Sequence, residues 1–220
     1  VNHNPALLRP AMSDKLILNY VNYISDINMG SPAFAKNFKK AGIFAIGLQF
    51  NNYGSFTNSD YTGIRYEEFT AGDYVFSGSY SIALKKYDKV RFGASLKMIY
   101  SDYWVASSFG VALDLGTSYI DTAKNFSAGL VIKNLGFQMK KYSKDNSESL
   151  PLDIQIGFSK KFEHAPIRIS VTAQDLLNWN LYYKSSLETE NTVLGEPETK
   201  KTFMNKLGEG ANEFIRHFVF

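Results

Sequence analysis

The segment IFAIGLQFNNY, residues 43–53, alternates large apolar side chains with small or polar ones. Phe44 and Ile46 fall on one side of the alternation, and Ala45 and Gly47 fall on the other. Successive side chains of an extended strand point to opposite faces. The segment therefore predicts a strand with one large apolar face and one small or polar face.

The chemistry of the second face decides between kinds of β protein. In residues 73–85 the large set includes Phe76 and Tyr80, whereas the opposite set includes Ser77 and Ser79. A half-solvated sheet normally shows a strongly polar water side. A face of Gly, Ser and Ala with few charges instead favours a barrel with a lipid-facing outside and a crowded, polar inside. We expect an all-β fold, a transmembrane antiparallel β-barrel, and regard a soluble β-sandwich as the less favoured alternative.

Composition narrows the function classes. The chain has 220 residues, a net charge of +3, no cysteine and 15% aromatic residues. This length suits one β domain. The small net charge and scattered basic residues argue against nucleic acid as a partner. Because no apolar run approaches the roughly 20 residues of a membrane helix, any membrane crossing would use strands.

The pattern predicts about ten strands joined by connections that alternate in length. The predicted strands are Lys15–Ser25, Ser31–Lys39, Ile43–Tyr53, Asp73–Lys85, Val90–Tyr100, Ser107–Tyr119, Phe126–Gly136, Leu152–Lys161, Pro166–Gln174 and one beginning near Glu213. The short turns are residues 40–42, 86–89, 120–124 and 162–165, and the longer loops are residues 54–72, 101–106, 137–151 and 175–212. Bacterial outer-membrane barrels have short periplasmic turns and long outer loops, so the alternation predicts that topology.

The ends of the chain carry separate signals. Asn4 can cap backbone N–H groups, and Pro5 suits a first helical position, so a short helical turn is predicted there. We assign residues 1–14 to the end of an N-terminal hatch segment and residues 15–220 to the barrel. The start at Val1 predicts a mature or partial chain. Phe220 resembles an outer-membrane assembly signal, although a chain cut at this point is the favoured interpretation.

Polar residues on the second face form a candidate network inside the barrel. They are Gln49, Arg91, Lys97, Asp114, Lys133, Asp153, Gln155 and Arg168. Both signs of charge are present, and unpaired charges in a crowded interior are costly. We expect Asp114 and Asp153 each to pair with a nearby cation. A selectivity lining or ligand site is the functional interpretation, and a salt-bridge network that fills a narrow barrel is the favoured structural one.

No arrangement of residues indicates catalysis, so we expect a non-enzymatic protein with no catalytic, metal or cofactor residues. The three histidines, His3, His164 and His217, fall in separate regions of the predicted topology. Common nucleophile, metal and phosphate motifs are absent from the sequence. The acidic pairs at residues 67–68 and 188–190 lie in polar loops, where solvated acids are the simpler explanation.

Several segments, in order along the chain, resemble the PorV/PorQ family of FadL-like outer-membrane barrels of the type IX secretion system. The hatch-like start is Asn4-Pro5-Ala6. The other matching segments are residues 18–23, 35–42, 52–57, 108–116, 129–136 and 150–157. Relative to the family, the secretion signal, the first part of the hatch and several C-terminal strands are missing, which predicts an incomplete barrel.

The resemblance implies a place and a set of partners. Proteins of this family lie in the outer membrane of Bacteroidota-type bacteria, with loops exposed at the cell surface. The implied partners are a PorZ-like surface protein held at the membrane, a PorU-like sortase and a PorV-like barrel in a cargo attachment complex. No cofactor is implied, although a bound lipid, lipopolysaccharide or detergent molecule is compatible with such a barrel.

The longest predicted loop carries the candidate docking residues. Residues 175–212 contain Trp179, Leu181, Tyr182 and Tyr183 among charged residues, a composition typical of an interface anchor. A membrane-interface girdle explains the same aromatics equally well. The rival function is a FadL-like transporter of hydrophobic small molecules, which requires an apolar pocket near the hatch and a gap in the barrel wall.

Overall fold

One antiparallel sheet of 12 strands dominates the structure. The computed structural model describes residues 3–84, 87–142, 149–163, 165–177 and 218–219. The strands are β1 (Lys15–Ile17), β2 (Tyr20–Asn22), β3 (Asn28–Gly30), β4 (Ala33–Asn37), β5 (Ile43–Ser59), β6 (Arg65–Leu84), β7 (Tyr87–Tyr103), β8 (Ala106–Asp121), β9 (Phe126–Lys140), β10 (Asp153–Lys161), β11 (Arg168–Ala173) and β12 (Phe218–Val219). The all-β class and the antiparallel pairing predicted from the alternation are confirmed.

Strands that follow one another in the chain lie beside one another in the sheet. The hydrogen-bonded order is β1-β4-β5-β6-β7-β8-β9-β10-β11-β12, with the β2–β3 hairpin attached to β5 through β3. The connections at 38–42 and 122–125, together with the last residues of β6 and β10, lie at one end, which we call the turn end. The opposite end, which we call the loop end, carries the β5–β6 turn and the β7–β8 turn.

The first predicted strand is interrupted and the second is shortened. Lys15–Ser25 is divided into β1 and β2 by a break at residues 18–19, and Ser31–Lys39 is reduced to β4, which a second break at residues 31–32 separates from β3. Pro32 has no N–H to donate to a ladder, which explains the second break. Its carbonyl still accepts a hydrogen bond from Leu48 N at 3.0 Å, so the break stays attached to β5.

Strands β5 and β6 extend far beyond the predicted boundaries. Residues 54–72 were expected to form a loop, but their pairing continues to Ser59 opposite Arg65. The expectation was wrong because polar Ser, Thr and Asn positions can stay in a ladder when cross-strand pairs hold them. Here Phe56 and Phe69 stack with ring centroids 5.4 Å apart. We call residues 53–70 the β5–β6 ribbon.

The two faces of the sheet differ as the alternation predicted. One face carries exposed large apolar side chains, which are Phe44, Ile46, Leu48, Phe76, Phe92 and Leu96. Tyr80 on the same face is half-buried, with its ring centroid 4.7 Å from that of Phe44. On the other face Ser79, Ser81, Ser95, Asp114 and Ser118 are buried. We call these the outer face and the inner face. No helix in the described ranges is long and apolar enough to cross a membrane.

Candidate functional site

The N-terminal segment, residues 3–12, packs against the inner face through hydrogen bonds. Asn4 Oδ1 accepts from Ala6 N at 2.9 Å and caps the short 3₁₀ helix Pro5–Leu7, as the sequence predicted. Asn4 Nδ2 donates to the carbonyl oxygens of Thr117 on β8 and Leu130 on β9, each at 3.3 Å. Ser118 Oγ donates to Ala6 O at 2.9 Å. The capping residue therefore also fixes the segment to the sheet.

Glycines on the inner face make room for this segment. A Cβ atom at Gly93 would overlap the backbone of Pro5 and Ala6, and one at Gly116 would overlap the Asn4 side chain. Because these neighbours include backbone atoms, they cannot rotate out of the way. The small residues that the sequence placed on this face thus serve close packing against the N-terminal segment.

A small apolar core lies where the segment meets the first strands. Leu8 is fully buried against Ala35, Ile43 and Ala45, and Met12 packs against the same group. Burial of a leucine side chain stabilises a fold by roughly 2 kcal/mol. This contact places the segment across the inner face from β4 and β5 to β8 and β9.

An ion pair is at the centre of the polar residues on the inner face. Lys97 Nζ on β7 lies 2.6 Å from Asp114 Oδ2 on β8, and both side chains are largely buried. Asp114 Oδ1 accepts from Asn134 N on β9 at 2.8 Å, and Lys97 Nζ donates to Asn134 Oδ1 at 3.2 Å. Asn134 Nδ2 also donates to Pro151 O at 3.0 Å. The expected ion pair of Asp114 is confirmed, and the network joins three strands to Pro151 in the connection before β10.

A β-bulge creates this geometry. Lys133 and Asn134 together stand opposite Asp114, since Leu113 pairs with Leu135 and Leu115 pairs with Ile132. Asn134 adopts a φ of 59°, a conformation that asparagine tolerates better than most residues. The extra residue turns the Asn134 N–H toward the Asp114 carboxylate. No alternation pattern shows this bulge, because it depends on which strand pairs with which.

The inner face also borders a cavity of about 500 Å³. Lys97, Lys133 and Asn134 line it together with His3, Gln49, Asn51, Asn19, Ser31 and Ser77. The apolar side chains of its wall are those of Val21, Met29, Val75 and Ile99. Within the described residues, Lys133 makes no ion pair, so one cation on the wall is available to a ligand.

The other members of the predicted network lie apart from this centre. Arg91 is half-buried near the turn end, and among the described residues its Nε has no hydrogen-bond partner. Asp153 accepts hydrogen bonds from Gln155 Nε2 and, at 2.8 Å, from Asp175 N. Arg168 is exposed at the turn end, opposite Lys161.

The expectation of a cation beside Asp153 was wrong for the part of the chain that the structure describes. A neighbouring amide on the same strand and a backbone N–H satisfy the carboxylate instead, and neither is visible as a charge pattern. The inner face therefore contains one compact network around Asp114 and three separate polar positions.

The β5–β6 ribbon is the exposed feature that the sequence interpretation missed. β6 pairs with β7 only from Ala71 onward, so residues 65–70 continue alone with β5. At the tip Tyr61 is fully exposed, and Asp60 accepts hydrogen bonds from Thr62 N at 2.9 Å and Ile64 N at 3.0 Å. The hydrogen bonds that the Asp60 carboxylate accepts from Thr62, the one from its hydroxyl group above all, hold the pKa of this carboxyl below the usual value.

Aromatic contacts support the base of the ribbon. Phe69 stacks on Trp104 of the β7–β8 turn, with ring centroids 4.8 Å apart. Below it, the hydroxyl groups of Tyr53 and Tyr103 donate to the Asp73 carboxylate at 2.6 and 3.0 Å. The ribbon is thus tied to β7 rather than extending freely from the sheet.

The predicted docking residues Trp179, Leu181, Tyr182 and Tyr183 lie outside the described residues. Within the described ranges, no group of three or more His, Cys, Asp or Glu side chains is arranged to hold a metal ion. No protein-family model matches the chain, and no curated protein matches it either.

Proposed function

We propose that this chain is a non-enzymatic transmembrane β-barrel of the bacterial outer membrane. The observation that best supports this proposal is the apolar outer face of the sheet. On β7 the outward positions from Val90 to Tyr100 are all uncharged, and Phe92 and Leu96 among them are exposed. Ten residues along a strand measure about 33 Å, or about 23 Å at a 45° tilt, close to the ~25 Å apolar band of such barrels.

Aromatic residues mark the border of this band toward the loop end. Tyr74 and Tyr100 stack side by side with ring centroids 6.4 Å apart, and Asp102 follows on the same face. Tyrosines are enriched at both interfaces of outer-membrane barrels because the ring is apolar and the hydroxyl is polar. A soluble protein that exposed a continuous apolar face across several neighbouring strands would be prone to aggregation.

We further propose that the work of the protein is docking. The N-terminal segment occupies part of the inner face, so the structure favours a filled scaffold over a wide channel. The ribbon projects from the loop end, and binding residues concentrate on such exposed connections of rigid scaffolds. The family resemblance makes the partner a PorZ-like surface protein, held in an attachment complex with a PorU-like sortase and a PorV-like barrel.

The experiment compares two deletions at the loop end. One variant replaces residues 178–212 with a Gly-Ser turn, and the other shortens the ribbon by removing residues 57–68 and closing it with Asn-Gly. Long surface loops can be shortened at little thermodynamic cost, so both variants should assemble in the outer membrane. Assembly is read from heat-modifiable migration on gels.

Surface retention of the partner, measured with antibody on whole cells, then assigns the docking element. Loss of the partner with one deletion and retention with the other places the docking site on the deleted element. Retention with both deletions, in assembled barrels, contradicts docking through either element. Failure of the unmodified chain to enter the membrane contradicts the barrel proposal itself.

A second candidate function is transport of a hydrophobic acid, and the cavity is the observation that favours it. Val21, Met29 and Val75 on its wall suit an apolar body, whereas Lys133 suits a carboxylate. The interruption at Ser31 lies beside the same cavity. Uptake of a fluorescent long-chain fatty acid by cells separates the two functions, because a docking base would show none above background.

A further inference from the structure

Two arginines without acidic partners meet on the inner face near the turn end. Arg91 on β7 and Arg9 in the N-terminal segment are both half-buried, and within the described residues neither forms an ion pair. Their positive charges lie close enough to repel each other. Unpaired charges that are partly removed from water destabilise a fold. The contacts of the described chain do not compensate this repulsion.

Strand pairing and the N-terminal segment bring the two arginines together. Arg91 stands opposite Ala83 on β6 and opposite Ser118 on β8, so its neighbours across the sheet are small. Ser118 Oγ donates to Ala6 O at 2.9 Å, which holds the N-terminal segment to the sheet three residues before Arg9. The small neighbours leave space beside the Arg91 guanidinium, and the segment supplies a second guanidinium to the same region.

The acids of the turn end are engaged or face elsewhere. Those in the described part of the chain are Asp14, Asp88, Asp121 and Glu163. Asp14 and Asp121 form ion pairs with lysines, at 3.6 and 2.8 Å. Asp88 lies an odd number of positions before Arg91 on β7, so its side chain points to the other face. Glu163 follows β10, which is three strands away from β7 in the sheet.

Unsatisfied hydrogen-bond donors accompany the uncompensated charge. Arg91 Nε is buried and has no hydrogen-bond partner among the described residues. Ser81 Oγ is also buried without such a partner, and Ser81 is diagonal to Arg91 because it pairs with Gly93. Buried polar groups in folded proteins almost always have partners, and exceptions require an explanation. Donors of this kind beside positive charge are complementary to the oxygen atoms of an anion.

Charge and shape select the class of anion. A phosphate group carries about −1.5 to −2 charges at neutral pH, so it matches two guanidinium groups. A single carboxylate would leave one of the two positive charges unmatched. Each guanidinium presents N–H groups in a planar fork that binds two oxygen atoms of one phosphate. The small side chains of Ala83 and Ser118 offer little apolar surface to a lipid tail.

We propose that Arg9 and Arg91 bind a phosphate-type oxyanion on the inner face near the turn end, either as inorganic phosphate or as the phosphoryl group of a larger molecule. One arginine belongs to the N-terminal segment and the other to β7, so the bound anion fastens the segment to the sheet. The inference goes beyond the docking function and does not depend on it.

The experiment titrates the full chain in detergent micelles with inorganic phosphate at physiological ionic strength, followed by calorimetry. The unmodified protein should bind phosphate saturably, and bound phosphate should slow amide hydrogen exchange in residues 8–12. Arg9→Gln and Arg91→Gln should each weaken binding at least about tenfold, because each removes hydrogen bonds to a charged group. Arg9 lies outside the strands, so Arg9→Gln tests the site even where Arg91→Gln fails to fold.

Arg65→Gln at the loop end is the matched control, since it removes the same charge far from the site. It should change phosphate affinity by less than about twofold, because salt screens distant exposed charges. Equal weakening by Arg65→Gln and Arg91→Gln would assign the effect to net charge and overturn the proposal, as would the absence of saturable phosphate binding. Acetate that binds as tightly as phosphate would overturn the choice of anion.

Glycerol 3-phosphate distinguishes the two sources of the phosphate group. Tighter binding of glycerol 3-phosphate than of inorganic phosphate supports a phosphoryl group on a larger molecule. Binding of inorganic phosphate alone supports the free ion. Phosphate binding that leaves amide exchange in residues 8–12 unchanged would refute the fastening of the N-terminal segment.

Discussion

Lys97 Nζ contacts Asp114 Oδ2 at 2.6 Å although the two residues are not opposite each other in the sheet. Lys97 faces Ala112 across β7 and β8, and Asp114 faces Ser95. The ion pair is therefore diagonal, and it leaves Asp114 Oδ1 available to Asn134 N. This arrangement lets one buried carboxylate stabilise a lysine and a β-bulge at the same time.

The first prediction concerns this carboxylate. Asp114→Asn removes its charge but keeps an oxygen that can accept from Asn134 N, so the largest loss is the partner of a mostly buried ammonium group. Breaking a buried ion pair on one side typically costs about 3 kcal/mol or more. We expect a loss of about 3 kcal/mol in the free energy of unfolding, measured by denaturant titration of the protein in detergent micelles.

Asp14→Asn is the matched control, because the Lys36–Asp14 pair is exposed on both sides and longer, at 3.6 Å. It should cost less than about 1 kcal/mol. Equal effects of the two substitutions would show that the Lys97–Asp114 pair is solvated. A combined Lys97→Met and Asp114→Asn variant should recover part of the loss, since it leaves no unpaired charge.

The second prediction concerns the close contact between β7 and the N-terminal segment. Gly93→Val should displace the segment, because a Cβ at this position overlaps the backbone of Pro5 and Ala6. We expect destabilisation of about 1–3 kcal/mol and faster amide hydrogen exchange in residues 4–8. Gly78→Val, at a position with no heavy atom within 4 Å of the new Cβ, is the control and should leave exchange in the segment unchanged.

The third prediction tests the orientation of the outer face. Leu96→Arg places a charge in the middle of the apolar band and should reduce stability in a bilayer by about 2–4 kcal/mol. Ile64→Arg, at the similarly exposed tip of the ribbon, should have little effect because this residue would lie in water. Reversible folding into lipid vesicles, followed by tryptophan fluorescence, gives the change in folding free energy for each variant. Equal changes for the two variants would contradict a lipid-facing outer face.

The fourth prediction concerns the ribbon tip and pH. The pKa of Asp60 is lowered in the fold, so its contribution to the turn is present above the ordinary aspartate pKa of 3.8 and is lost as pH falls through the lower folded value. Protonation weakens the acceptor of the Thr62 and Ile64 N–H groups. We expect both amide resonances to shift cooperatively below pH 3.8 in NMR spectra, and Asp60→Asn should abolish that transition.

Local patterns determined the parts of the fold that depend on a strand's own residues. The alternation of Phe44 with Ala45 identified the two faces, and Asn4 before Pro5 identified the capped turn. The same alternation placed Lys97 and Asp114 on one face. These features follow from backbone geometry within a few residues, so a single sequence contains them.

Pairing between strands determined the β-bulge on β9 and the length of the β5–β6 ribbon. The bulge at Asn134 exists because one more residue of β9 than of β8 spans the same ladder. The ribbon continues past Gly54 because Phe56 finds Phe69 on the next strand. Neither the bulge nor the continuation of the ribbon follows from neighbouring residues in the sequence, because polar residues at these positions suit a loop equally well.

The sequence by itself thus determined that the chain is all-β, that its strands have one apolar and one polar face, and that the N-terminal turn begins at Asn4. Only the tertiary structure decided which polar residues meet. It joined Lys97 to Asp114, gave Asp153 an amide in place of a cation, and set Lys161 opposite Arg168. The physical reason is register, because a shift of one residue between neighbouring strands exchanges every partner while leaving the pattern within each strand unchanged.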